Sequence, residues 1–228
     1  MKYKNPFRDL TKFELTLWIT SICVIAGSYI LSGSKDMLTV IASLIGVTAL
    51  IFVAKGYVIG QVLTVVFAVF YGIISFYLRY YGEMITYLGM SAPIAMLTVI
   101  EWIRHPYKGT NEVQVSTLSR TRIAVMAAGA TIVTAAFYFI LRARGNASLI
   151  PSTISVTTSF LVSYLTFCRS PYYALAYAAN DIVLIALWVI ASVSDLSYIP
   201  MVLCFVMFLV NDMYGFFNWK QMQKRQDN

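Results

Sequence analysis

Eight apolar segments, each about long enough to cross a bilayer and joined by short polar turns, fill almost all of this 228-residue chain. They fall at about 13–32, 37–54, 59–80, 83–104, 121–142, 148–168, 171–193 and 197–219. A hydrocarbon core about 30 Å thick needs about 20 predominantly apolar residues per helix. The sequence therefore predicts an all-α polytopic membrane protein with eight transmembrane helices, and no stretch is left over for a soluble domain. Composition agrees, since a chain that is 59% hydrophobic and 12% charged lies far outside the range of soluble globular domains.

The basic residues test this count, because Lys and Arg accumulate in cytoplasmic loops. With the N-terminus inside, Lys2, Lys4, Arg8, Lys12, Lys55, Arg104, Lys108, Arg120, Arg122, Arg169, Lys220, Lys224 and Arg225 fall on the cytoplasmic side, and Lys35, Arg79, Arg142 and Arg144 outside. Thirteen against four accounts for all 17, and adding or removing a span would erase the bias. Both termini are accordingly placed in the cytoplasm. The same distribution explains the formal net charge of +7 without nucleic acid, since the cations mark helix ends and form no patch interleaved with aromatics. The first apolar run is of full span length with no A-x-A-like site after it, so it is expected to be a retained helix and not a cleaved signal.

Punctuation divides the chain further. Residues 1–36 hold a cytoplasmic segment and an extra helix, 37–104 a first three-helix bundle, 105–147 a cytoplasmic loop and a linker helix, 148–219 a second three-helix bundle, and 220–228 a cytoplasmic tail. Each bundle has a basic inner turn (Lys55-Gly56, Arg169-Ser170), an acidic outer turn (Glu83, Asp195) and a Trp at its inner end (Trp102, Trp219). The single span between them makes both bundles begin outside and run the same way. They are expected to be parallel repeats about an axis along the membrane normal, with substrate between them near the midplane.

Two polar pairs mark that level. Asn180-Asp181 lies about ten residues into its span, near the bilayer centre at a rise of about 1.5 Å per residue. Asn211-Asp212 reaches nearly the same depth from the opposite side. Ionisable groups at such depth cost at least about 2.5–3.5 kcal/mol on insertion scales, so they normally face a bundle interior or a water-filled path. Helical spacing puts Tyr173, Tyr177 and Trp188 on the face of the first pair, and Phe208, Gly215 and Trp219 on that of the second. Aromatic surfaces beside amides and carboxylates suit a ligand that combines a flat ring with hydroxyls. In the first bundle Gln61, Thr64, Tyr71 and Ser75 form one polar stripe and Tyr87, Ser91, Thr98 and Glu101 another. Ser155, Thr158, Ser159 and Ser163 form a third in the sixth span, and lining a path or making helix contacts fits all three stripes equally. Pro93, near the middle of the fourth span, removes a helical hydrogen bond and marks a hinge. The substrate-binding candidates are Asn180, Asp181, Asn211, Asp212, Tyr177, Trp188, Gln61, Tyr71, Thr98 and Glu101.

Chemistry on a substrate finds no support. Cys23, Cys168 and Cys204 lack metal-ligand or disulfide spacing, the only histidine, His105, falls in a basic loop, and there is no HExxH or phosphate-binding Gly-rich loop. No catalytic residue, metal or cofactor is expected, and the partners are a small-molecule substrate and the bilayer.

The stretch Tyr80-Tyr-Gly-Glu-Met-Ile-Thr-Tyr87, the run from Tyr177 through Asn180-Asp181 to Trp188, and the ending Asn211-Asp-Met-Tyr-Gly-Phe-Phe-Asn-Trp219 resemble the nicotinamide riboside transporters of the PnuC type, over about residues 37–225. The resemblance implies a SWEET-like core of two three-helix bundles and a linker helix, here with an extra N-terminal span, in a bacterial plasma membrane. It also implies facilitated diffusion of nicotinamide riboside for NAD synthesis, trapping by phosphorylation in the cytoplasm, and assembly as a homotrimer. Where members of the family tend to carry tryptophans before the Asn180 motif, this chain has Tyr172, Tyr173 and Tyr177. Thiamine or another vitamin or nucleoside of the same family therefore stays open as cargo. So do proton coupling and, as a different class, a non-transporting scaffold or sensor. In the transport hypothesis Asn180 and Asn211 hydrogen-bond ribose or carboxamide, Asp181 or Asp212 favours a cationic ring, and Tyr177 and Trp188 cover its faces.

Overall fold

A computed structural model describes residues 5–32, 37–77, 81–144 and 149–228. Lys2, Lys4, Lys35 and Arg79 of the charge tally, Tyr80 of the first motif, and the segment boundaries near 36 and 147 lie outside the described residues. Eight helical spans run through the rest. They are α1 (Lys12–Leu31), α2 (Met37–Ala54), α3 (Val58–Tyr77), a fourth span made of α4 (Tyr81–Thr86) and α5 (Ala92–Arg104), α6 (Arg120–Ala143), α7 (Leu149–Phe167), α8 (Tyr173–Ser194) and α9 (Ile199–Asp227). Span boundaries agree with the sequence reading to a few residues except at the C-terminus. There α9 continues through 220–227, which the sequence reading assigns to a tail, and its 29 residues reach about 43 Å at 1.5 Å per residue, longer than the bilayer core.

The fourth span is broken where Pro93 predicts a hinge. Pro93 has no backbone N–H to give, and the preceding residues Tyr87–Ser91 widen into a π-helical turn before α5 begins. In α1, Thr11 and Glu14 form a reciprocal capping box, and the Glu14 carboxylate also accepts from Lys55 Nζ at 3.0 Å and from the Tyr214 hydroxyl at 2.7 Å. Those bonds fasten the extra helix to the α2–α3 turn and to α9 at the end of the bundle that carries both termini.

Contacts sort the helices into two groups. α2, α3 and α4–α5 pack together, as do α7, α8 and α9, and the groups meet through α2 on α9 and α5 on α7. α1 sits over the α2–α9 junction, whereas α6 rests on α7 with only Leu141 fully buried and its other faces open to lipid.

The turns at the terminal end correspond position by position. After α2, Gly56 N–H donates to Val53 O and Tyr57 N–H to Phe52 O, with Gly56 at φ 69°. After α7, Arg169 N–H donates to Thr166 O and Ser170 N–H to Leu165 O, with Arg169 at φ 57°. Both are Schellman closures around a left-handed residue. A strap over residues 105–119 crosses from one to the other: Val113 N–H donates to Gly56 O and Ser116 N–H to Arg169 O, each at 2.9 Å. The extended end of α9 holds the strap. Gln226 Oε1 accepts from Val115 N–H at 2.7 Å, Gln226 Nε2 donates to Val113 O at 3.2 Å, and Arg225 pairs with Glu112. These polar contacts explain why the helix outlasts its apolar run. Gln226→Ala would free one strap donor and one acceptor. Amide exchange of residues 112–116 is expected to speed up about tenfold by mass spectrometry, as follows from losing about 1.4 kcal/mol of local hydrogen bonding.

Candidate functional site

A cavity opens between the two helix groups, lined by six spans, three from each. α3 contributes Gln61, Thr64 and Ala68, and the fourth span contributes Tyr87, Ser91, Ala95 and Thr98, both at helical spacing. α7 supplies Ser159, Ser163 and Thr166, and α8 supplies Tyr177, Asn180 and Asp181. α2 and α9 close the remaining wall with Gly46, Phe205 and Phe208. Gly46 makes room there for the rings, since a Cβ would come within 2.5 Å of the Phe208 ring and 3.0 Å of Phe67 and would push them aside. The π-helical turn of the fourth span lies within this wall and carries both Tyr87 and Ser91, the usual setting of such turns at functional sites.

The polar side chains present a specific pattern. Asn180 Oδ1 accepts from Thr158 Oγ1 at 2.7 Å and Ser159 Oγ at 3.1 Å, which leaves its NH2 for the cavity side, where Tyr87 is its neighbour. Gln61 Nε2 and Asp181 Oδ2 are buried lining groups with no protein partner among the described residues. Behind Asp181 stands Asp212, whose carboxyl group interacts with it and whose Oδ2 is likewise unpartnered. No Lys, Arg or His is among the described residues lining the cavity. Buried polar atoms are nearly always satisfied, and two facing carboxyls with no counter-charge favour a cationic guest. The aromatic faces of Phe67, Tyr87, Tyr177, Phe205 and Phe208 suit a flat ring, and a cation over such faces gains about 0.5–2 kcal/mol.

Of the ten sequence candidates, Gln61, Thr98, Tyr177, Asn180 and Asp181 line this cavity and Asp212 stands behind it. The other four lie elsewhere. Asn211 turns to the extra helix, its Nδ2 donating to Ser21 Oγ at 3.0 Å and to Met207 O at 2.7 Å. Trp188 sits further toward the end away from the termini, against Tyr198 at 5.5 Å, and Tyr71 packs on Tyr87 at 4.4 Å outside the lining. Glu101 is at the terminal end, 3.5 Å from Arg169 Nε and 3.3 Å from His105 Nδ1. Sequence reasoning missed the α2 wall and Phe67 and Phe205. Gly46 inside a strongly apolar helix was the available signal, and Phe67 falls on the Gln61–Thr64 stripe.

The terminal end of the cavity is closed. Trp102 Nε1 donates to Thr166 O of the opposite group at 3.1 Å, and Trp219 Nε1 donates to Val53 O at 2.9 Å, the corresponding carbonyl of the other turn. Their rings lie 5.5 Å apart with Tyr173 against Trp219 at 4.8 Å, and the strap runs beyond them.

Eight apolar spans around a polar, aromatic-walled cavity between two helix groups have the architecture of a multi-pass membrane transporter. Residues 36–221 match the model of the nicotinamide mononucleotide transporter family, and the chain belongs to that family. It is 24% identical over 227 residues to the nicotinamide riboside transporter PnuC of Neisseria mucosa, spanning 97% of this chain and 86% of that protein. The crystal structure of the vitamin B3 transporter PnuC has the same fold, with a TM-score of 0.82 at 23% identity over 95% of this chain and 94% of that one.

Proposed function

We propose that this protein carries nicotinamide riboside into a bacterial cell for NAD synthesis, by facilitated diffusion through alternating access, with both termini in the cytoplasm. The observation that carries the reading is the Asp181–Asp212 pair at an aromatic-walled cavity whose described lining holds no cationic side chain. The riboside joins a cationic pyridinium to a carboxamide and a ribose. Asp181 answers the ring's charge, Tyr177, Tyr87 and Phe208 offer faces to it, and Gln61, Asn180 and Thr98 offer hydrogen bonds to amide and hydroxyls.

In this reading the two three-helix groups act as parallel repeats that rock around the cavity, with the π-turn and Pro93 as the hinge of the fourth span. The Trp102–Trp219 layer and the strap form the cytoplasmic closure. Phosphorylation in the cytoplasm keeps the cargo from leaving, and the lipid-facing side of α6 is the surface available for a homotrimer. Uptake by purified protein in liposomes tests the cargo: saturable entry of labelled nicotinamide riboside is expected with no imposed ion gradient, and thiamine in tenfold excess should compete weakly. Saturable thiamine transport without riboside transport would reassign the cargo, and uptake that requires a pH gradient would reassign the driving force.

A further inference from the structure

Beyond the cavity, toward the end of the bundle away from the termini, one carboxylate has no role in the site described above. Glu83 opens the fourth span, and the sequence pattern assigns it to a short acidic outer turn. In the fold it is only 8% exposed. Among the described residues its Oε1 accepts a single hydrogen bond, from Ser155 Oγ at 3.2 Å, and its Oε2 is buried with no partner. None of the ion pairs among the described residues includes it.

Two helices relate this group to the cavity independently. Glu83 precedes the lining residue Tyr87 by four positions in the fourth span, and its partner Ser155 precedes the lining residue Ser159 by four positions in α7. Each interval is one helical turn, so the carboxylate stands about 6 Å beyond the cavity's edge on both walls. Ser155, Ser159 and Ser163 continue as one polar face of α7 from Glu83 to the cavity, with Asn180 bonded to Ser159 on the way. Across from them are rings. Tyr71 and Tyr87 lie 4.4 Å apart, and Tyr87 stands one helical turn from Glu83 in the fourth span. A buried, half-satisfied carboxylate beside paired phenol rings is suited to a cation with an aromatic or quaternary-nitrogen face.

We infer that Glu83, with Ser155, Tyr71 and Tyr87, forms a second cation-binding station one helical turn outside the central cavity, at which a positively charged ring pauses before reaching Asp181. The inference rests on the proposed cationic cargo and assigns the approach to the cavity its own selectivity. A fixed charge along a low-dielectric path concentrates ions of opposite sign and accelerates their capture. Glu83 is therefore a residue of selection during approach, while Asp181 and the cavity hold the bound substrate.

The test compares two ligands of nearly the same shape, nicotinamide riboside and its 1,4-dihydro derivative, whose ring is neutral. In liposomes containing Glu83→Gln, uptake efficiency for the cation should fall about tenfold while that for the neutral compound changes less than about twofold, as expected for a charge that acts by local enrichment. Ser155→Ala removes the hydrogen bond and keeps the charge, so its ratio of cation to neutral uptake should stay within about twofold of the native one. Equal losses for both ligands in Glu83→Gln, or a ratio that collapses in Ser155→Ala, would show that the pair only joins two helices and would overturn the station. An unchanged cation efficiency in Glu83→Gln would do the same. A native protein that carries neither ligand, or shows no preference for the cation, would instead overturn the cargo reading and leave a different signature.

Discussion

Replacing Asp181 with Asn should reduce uptake of nicotinamide riboside about a hundredfold, chiefly through KM, which corresponds to about 2.7 kcal/mol of lost recognition. The substitution keeps the shape of the side chain and removes its charge, so a loss of this size reports on a cationic partner and not on a vacated volume. Stability should move the other way. Asp181 and Asp212 are both 3% exposed and interact without a counter-charge among the described lining residues, so Asn at 181 can still hydrogen-bond Asp212 while one buried ionisable group is removed. The thermal midpoint of the purified variant in detergent is therefore expected to equal or exceed the native one while transport fails. Asp212→Asn should have the weaker effect on uptake, about tenfold, because that carboxyl acts from behind the wall. A native KM in Asp181→Asn would remove the electrostatic basis of the cargo reading; a lowered midpoint would show that the pair is held together by a shared interaction and not merely tolerated.

The depth of these carboxyls was legible in the sequence because depth needs only a residue count from the span ends. Which side of a helix faces the cavity was legible only where a stripe had several members. Gln61 with Thr64, and Ser91 with Thr98, repeat at helical spacing and do line the cavity, as do Asn180 and Asp181. Asn211 and Asp212 share the neighbours Phe208, Gly215 and Trp219 equally well, and adjacent residues on a helix point about 100° apart, so the sequence left their direction open. The fold divides them, sending Asn211 to Ser21 of the extra helix and Asp212 toward Asp181. The α2 wall was beyond reach for another reason: its few small polar residues, Thr39, Ser43 and Thr48, and Gly46 are spread around a strongly apolar helix and single out no face. Glu83, read from the sequence as part of an acidic outer turn, is the converse case. A charge near a span end suggests water, but here the neighbouring helices bury it, and nothing in the local sequence encodes the arrival of Ser155 from 72 residues away.

Gly60→Ala is expected to destabilise the protein by about 3 kcal/mol, at the upper end of the usual cost of over-filling a packed site. Gly60 opens the first turn of α3, where the chain doubles back on α2 so closely that an added Cβ would stand 2.4 Å from Val53 N and 2.7 Å from Phe52 C. Both are backbone atoms of α2, and Val53 O also receives the Trp219 indole, so no rotamer change makes room. Relief requires α3 to move away from α2, which would carry the adjacent Gln61 out of the cavity wall and loosen the layer that closes the terminal end. Uptake should therefore fall along with stability. On the scale of roughly 2–4 °C per kcal/mol for chains of this length, the midpoint in detergent should drop by about 6–12 °C. Gly27 in α1 supplies the opposite sign. A Cβ there meets nothing within 4 Å, so Gly27→Ala keeps every contact and gains the helix preference of Ala, about 0.5–1 kcal/mol of stability. Two glycine-to-alanine changes in helices of one protein thus separate by sign. If Gly60→Ala melted within a degree of the native protein, α2 and α3 would not approach as closely as the turn between them requires, and the alignment of the two Schellman closures that sets the cavity's floor would have to be drawn differently.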